Sequence, residues 1–382
     1  MKGCKSVFIK ECRRLFTTRD LVLICVVAPF LYGTVLPAVY AHKRVEKVAT
    51  GVVDDDASRL SRTLTRRLGA VQNIAIAGRY PDPASALDAM AHGAIDAFIY
   101  FPRGYASAVK RGDGALDIVS VNAANVLVAN PVMQTVSDLS ASVSSELFAG
   151  ALMKRGTPRD KAASLAQPFN VNVQVLFNPH LDYSSFMIPG LIFVVLQQVL
   201  LVGLGYSLAG AFRPGGIAET YRRDGADSLG LMIGTSLPYT LLNFAIGLVF
   251  IFLIMPVLGI PTAAKAGMII PFTALFVFTI TSVGMMLALL FRTTTVALIV
   301  LMFYSMPTFL LSGYSWPFFS LPPGLKVVSI LFPSTFFFDT FRLILLADLP
   351  APIFLRHFLL LLALSLLYFT AALTLVSRRM RA

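Results

Sequence analysis

The chain has 382 residues, 56% of them hydrophobic and 14% charged, with a formal net charge of +12 and a mean hydropathy of +0.74. A composition this apolar excludes an ordinary soluble domain, and the basic excess is explained by its position along the chain without invoking nucleic acid. Cys4, Cys12 and Cys25 all precede the large polar segment, so no disulfide framework is available there; the histidines are scattered, with no HExxH or CxxC spacing that would suggest a metal.

Residues 1–20 read as a basic amphipathic entry helix. Phe8, Cys12, Leu15 and Phe16 follow an i, i+4, i+7, i+8 stripe, with Lys10, Glu11, Arg13, Arg14 and Arg19 around it. Such a helix lies in the headgroup plane; the alternative is a plain positive flank that orients the first span. Residues 21–41 form that span, too long for the apolar core of a signal peptide. Its Pro29 and Pro37 are tolerable in a membrane helix.

Residues 42–183 differ in kind, being polar and mixed in charge. Strand patterns at Val48–Val53, Val71–Ala77, Ala94–Phe101 and Leu116–Val121 alternate with helical patterns at Ser58–Leu68, Pro83–His92 and Gly104–Lys110. A longer helix follows from Asn130 to about Lys154. Strands alternating with helices predict an inserted α/β domain with at least partly parallel strands. Asp54, Asp55 and Asp56 follow the first strand; a solvated turn and helix cap accounts for them better than a calcium site, because no ligand spacing accompanies them.

Residues 184–376 organise the whole. Apolar runs at Ser184–Phe212, Leu229–Leu258, Gly267–Phe291, Thr294–Ser312 and Phe358–Val376 each supply the ~20 residues that cross ~30 Å of hydrocarbon. With no water to satisfy the backbone, runs this apolar are helices. The fold class is therefore an α-helical polytopic membrane protein of six spans with an α/β insertion. Counting the short segments beside the spans, thirteen Lys and Arg fall on the side of the termini, against Lys265, Lys326, Arg342 and Arg356 on the other. The positive-inside rule then places both termini, including the basic tail 377–382, in the cytoplasm.

Gln197 and Gln198 in the second span and Asn243 in the third are polar groups at membrane depth, either interhelical glue or lining of a translocation path. Residues 213–228 form the one substantial cytoplasmic loop and carry Glu219, Arg222, Arg223, Asp224 and Asp227. Residues 313–357 are outside yet unusually apolar, rich in Phe and broken by prolines such as Pro333, and read as re-entrant or interfacial helices. Within them Asp339 and Arg342 share a helical face, as a desolvated pair or as two side chains reaching for headgroups.

Three pieces resemble the type-2 ABC exporter permeases: the entry helix Phe8-Ile-Lys-Glu-Cys-Arg-Arg-Leu with Arg19-Asp20; Phe177-Asn-Pro and Met187-Ile-Pro-Gly before and within the second span; and Leu311-Ser-Gly-Tyr-Ser-Trp-Pro followed by Leu331-Phe-Pro-Ser-Thr and Phe338-Asp-Thr-Phe-Arg. The run Glu219-Thr-Tyr-Arg-Arg-Asp-Gly-Ala departs from the acidic-basic run closing in Gly-Thr that the family often has there. The resemblance implies a non-catalytic permease that binds no cofactor itself. It also implies two copies of a partner ATPase using ATP and magnesium, a second permease (identical or paralogous), a bacterial inner membrane, and export of a hydrophobic or amphiphilic small molecule. It leaves a periplasmic adaptor open, and it makes residues 213–228 the coupling loop; a solvated connector is the alternative.

The chain is not its own motor: a phosphate loop needs Gly-Lys-Ser/Thr, and Gly-Lys does not occur. The rival readings are a proton- or sodium-coupled transporter, a membrane-anchored receptor or adhesion protein, and an enzyme acting on lipid. Spans without ionisable residues argue against the first. Six spans and the re-entrant segment argue against the second, and the lack of an acid and histidine cluster at a membrane boundary argues against the third.

Overall fold

The computed structural model describes residues 3–39, 47–111, 118–122, 126–166, 183–212, 218–219, 221, 225, 227–257, 259, 266–291, 293–346 and 349–381. The chain divides into two compact units, residues 44–174 and the remainder.

The membrane unit opens with α1 (Cys4–Thr17) and, among the described residues, holds six helices long and apolar enough to cross a bilayer. We number them as spans one to six: Arg19–Ala38, Tyr183–Ala211, Ser228–Val257, Ala266–Leu290, Thr294–Leu311 and Ala351–Arg381. Spans two and four are the most enclosed, while spans one, five and six present most of their surface outward. Span six runs several residues further at each end than its apolar run alone predicts.

Two spans contain a wide turn, at Leu23–Val27 in span one and Phe250–Ile254 in span three. Each lies just before a proline, Pro29 and Pro256. Proline has no N–H for the carbonyl four residues back, and widening the turn re-registers the ladder around that loss. Phe30 stacks on Phe250 at 5.6 Å between centroids, bringing the two irregular segments together.

Between spans five and six lie α7 (Pro323–Ser329) and α8 (Pro333–Leu346), bent by 89° with respect to one another. The carbonyls at this break are served locally: Leu331 N–H donates to Val328, Phe332 N–H and Thr335 Oγ1 to Ser329, and Tyr368 of span six to Leu331. That is the condition under which broken backbone is tolerated at membrane depth. Phe337 of α8 anchors the segment, stacked on Phe276 of span four at 3.8 Å, with Phe193, Phe272 and Phe341 around it.

In the other unit the strands β1 (Val48–Asp54), β2 (Ile74–Tyr80), β3 (Ala97–Phe101) and β4 (Ile118–Val121) form one sheet in the order β2-β1-β3-β4. The β1 pairings are parallel and β4 is antiparallel to β3. Central β1 is buried along most of its length because helices cover both faces. On one face lie α2 (Arg59–Gly69) and α5 (Val126–Lys154), through Leu64, Leu68, Val132 and Val136; on the other lies α3 (Pro83–Ala91), through Ala86. Helices α4 (Tyr105–Arg111) and α6 (Arg159–Ala166) belong to the same unit.

The three consecutive aspartates at the end of β1 are all engaged. Asp54 accepts from Ala57 N–H and from Ser61 Oγ at the start of α2, Asp55 from the Tyr100 hydroxyl, and Asp56 from the N–H of Ala106 in α4. Among the described residues no three metal-ligating side chains come together.

Candidate functional site

One end of the membrane unit is knotted on a single carboxylate. Glu11 of α1 is 1% exposed. Its Oε1 accepts from the Tyr221 hydroxyl at 2.9 Å and from Arg14 Nη1 at 3.3 Å. Its Oε2 accepts from Ser207 Oγ at 3.0 Å and from the Tyr239 hydroxyl at 3.3 Å. Ser207 lies near the end of span two, Tyr239 on span three and Tyr221 in the loop joining them. A buried charge is costly unless its lone pairs are filled, and four donors fill these.

The geometry follows from how α1 sits. Its buried line is Val7, Glu11 and Leu15, successive positions four apart. This is a different line from the predicted Phe8, Cys12, Leu15, Phe16 stripe, of which Phe16 is 61% exposed. Gly234 of span three permits the contact, since a Cβ there would stand 2.7 Å from Val7 Cβ and 2.9 Å from the Cys4 carbonyl oxygen. The backbone of α1 thus rests directly on span three, and only a polar pocket can receive the residue between Val7 and Leu15.

Lys10, Arg13 and Arg19 remain exposed on the outer side of this end. Arg14 reaches inward, its guanidinium 5.9 Å from the Tyr206 ring centroid, and Lys10 lies 5.9 Å from the Tyr221 ring centroid. In the loop, Ala218 and Tyr221 are buried, three apart on one side, while Glu219 points outward. Arg222, Arg223 and Asp224 lie outside the described residues. Asp227 Oδ1 accepts from Gly230 N–H at 2.8 Å and so caps span three.

The membrane-depth amides hold helices together. Gln197 is 1% exposed, donates to Thr308 Oγ1 of span five at 3.1 Å and accepts from Ser334 Oγ of α8 at 2.9 Å. Asn243 of span three donates to the Leu196 carbonyl of span two at 2.9 Å. Gln198 makes one long contact, 3.5 Å to the Leu301 carbonyl.

A second polar cluster sits at the opposite end. Arg342 pairs with Asp339 of the same helix, and its guanidinium lies 5.0 Å from the ring centroids of both Phe186 and Tyr314. Tyr314 is 1% exposed; it donates to the Phe186 carbonyl at 2.6 Å and accepts from Gly190 N–H at 3.1 Å. Pro333 is the first residue of α8 and is buried.

These clusters join segments that lie far apart in sequence. A family model described as "ABC-2 family transporter protein" matches residues 19–374. The chain belongs to the ABC-2 transporter family. The match takes in the first five spans of this permease, span six as far as residue 374, and the α/β unit. Comparison with curated proteins gave no match.

Sequence reasoning placed Glu11 on the entry helix but did not find Ser207, Tyr221 and Tyr239 as its partners. The available signal was the i, i+4, i+8 line through Val7 and Leu15, which encloses an acid between two apolar residues. Tyr314 was visible only inside the Ser-Gly-Tyr-Ser-Trp-Pro run.

Proposed function

We propose that this permease is the membrane subunit of an ATP-driven exporter in a bacterial inner membrane. Both termini and residues 213–228 face the cytoplasm, and residues 42–183 face the periplasm. The division of basic residues between the two sides supports this orientation. Energy comes from a separate ATPase, two copies of which bind ATP and magnesium. A second permease, identical or paralogous, completes the path, and the cargo is a hydrophobic or amphiphilic small molecule. A periplasmic adaptor would dock on the inserted α/β unit.

The observation that carries this reading is the Glu11 knot. A push on the turn holding Ala218 and Tyr221 reaches α1, span two and span three together, because all share one carboxylate. A device joining a loop to two spans suits a machine driven from outside the membrane. The apolar stretches of the spans contain no Asp, Glu, Lys or Arg, whereas proton- or sodium-coupled transporters place such groups there.

Inside-out vesicles containing the permease and its ATPase test the proposal. ATP-dependent uptake of a fluorescent amphiphile, abolished without magnesium, is the expected result. Uptake driven by a proton gradient in the absence of ATP would overturn it.

A further inference from the structure

Next to the Asp339–Arg342 pair lies a cavity of about 510 Å³, within the size range of small-molecule sites. Its wall combines the rings of Tyr314, Phe318, Phe319 and Phe336 with Asp339 and Arg342. We propose that this cavity binds an amphiphilic organic cation, with its apolar body against the phenylalanines and its ammonium on Asp339. The inference deepens the exporter reading by naming a cargo class, and it rests on that reading for the site's purpose.

The two charges of the pair are not equally presented. Arg342 is 21% exposed, held between the Phe186 and Tyr314 rings, and its Nη1 donates to the Tyr314 carbonyl at 3.4 Å. Its positive charge is therefore answered within the wall. The Asp339 side chain is 43% exposed, and among the described residues only Arg342 bonds to it, through Oδ1. Oδ2 is left as an acceptor at the cavity. Aromatic faces carry the negative end of the ring quadrupole, so a carboxylate beside Phe336 and Phe318 favours a cation and disfavours an anion.

Two further details fit a ligand. The Ser315 hydroxyl, in the cavity wall, is buried and has no hydrogen-bond partner among the described residues, where buried polar atoms ordinarily have one. Phe319 is 82% exposed, a large ring at the cavity with little packed against it. Lys326 does not line the wall; its ammonium donates to the Phe319 carbonyl at 2.8 Å. His357 does line it, with Nδ1 engaged by Thr340 Oγ1 at 2.5 Å.

Fluorescence polarisation on the full chain in nanodiscs, with rhodamine 6G as the cationic probe and fluorescein as its anionic counterpart, tests the site. Saturable binding of rhodamine 6G is expected, weakened about tenfold in Asp339→Asn and in Phe336→Ala and restored in Asp339→Glu, with fluorescein binding far more weakly. Unchanged affinity in a folded Asp339→Asn variant, or fluorescein binding as tightly as rhodamine 6G, overturns the proposal. Should Asp339→Asn fail to fold, the exposed Phe319→Ala decides: weaker binding supports the site and unchanged binding refutes it. Binding needs neither ATP nor the ATPase. A permease that exports with ATP but fails this test refutes the site alone, and the exporter reading fails separately, in the vesicle assay.

Discussion

Tyr221 donates its hydroxyl proton to Glu11 at 2.9 Å across 210 positions of sequence, tying the loop after span two to the helix before span one. Neither residue lies within a span, yet the same carboxylate also holds Ser207 near the end of span two and Tyr239 inside span three. A buried charge is weak evidence for stability, since a well-packed apolar replacement of the whole set can do as well. What such a set supplies is one arrangement of the helices over its neighbours. A permease that changes between arrangements has use for that.

Removing Glu11 leaves three hydroxyls and a guanidinium without their common acceptor. Glu11→Ala should lower the stability of the detergent-solubilised chain by about 3–5 kcal/mol, and Tyr221→Phe by about 1.5–3 kcal/mol, the range for a hydrogen bond to a charged group. Thermal melts of the two single variants and the double variant measure this. Because they share the bond, the double variant should lose less than the sum of the singles. Strict additivity would mean that the two residues are not coupled.

Gly190 is set by the Tyr314 ring, since a Cβ there would stand 2.3 Å from Tyr314 Cε1. Gly190→Ala should cost about 1–3 kcal/mol through displaced packing. In a Tyr314→Leu background the same change should cost little. Equal cost in both backgrounds would place the strain elsewhere.

Gln197 links span two to Thr308 and Ser334, although Thr308 also donates to the Ser305 carbonyl of its own helix. Interhelical bonds in membranes are worth about 0.6–2 kcal/mol, because polar groups find other partners in the unfolded chain. Gln197→Leu should therefore cost no more than that in a melt and leave the chain folded. A loss of folded protein would show that the amide has a larger role than helix pairing.

Much of this architecture was legible in the sequence. The five runs after residue 183 became spans because length and apolarity leave a membrane helix no alternative, and the strand–helix alternation of the insertion became a sheet with three parallel strands. The prolines at 322, 323 and 333 and the phenylalanines around them pointed to a broken helical segment, found as α7 and α8. What stayed hidden was pairing over distance. Val7-x-x-x-Glu11-x-x-x-Leu15 shows an acid on an apolar line, but its donors come from spans two and three and the loop between them. Residue type alone does not align those elements. The choice of line on α1 was likewise made by Gly234, on another helix.

The inserted unit has its own core and sheet, so residues 44–174 expressed alone should give a mixed α/β circular dichroism spectrum and a cooperative melt. On its surface Arg67 forms a two-bond pair with Glu146, at 2.9 and 2.8 Å, joining α2 to α5. The hydrogen bonds from Arg67 hold the Glu146 carboxyl below its ordinary value of 4.5. A carboxyl lowered on folding contributes stability above its unfolded value and loses it as pH falls through the folded one. Stability should thus decline below about pH 4.5, and Glu146→Gln should flatten part of that decline. Both groups are solvent-exposed, so the difference will be small and should shrink further in high salt. Identical acid profiles for the two proteins would remove the pair from the account.

Coupling is tested at the exposed acid beside the knot. Glu219 points outward from the turn whose inner side is Ala218 and Tyr221. The loop carries as many acids as bases, Glu219, Asp224 and Asp227 beside Arg213, Arg222 and Arg223, which suits a contact set by opposite charges, where reversal costs affinity without disturbing the fold. The most direct measurement is magnesium-dependent ATP hydrolysis by the complex that co-purifies with the tagged permease, wild type against Glu219→Lys combined with Asp224→Lys. The account predicts that wild type brings down an active ATPase, whereas the double variant inserts and melts normally but loses it. An unchanged hydrolysis rate in the double variant, or no ATPase with the wild type, would contradict the account.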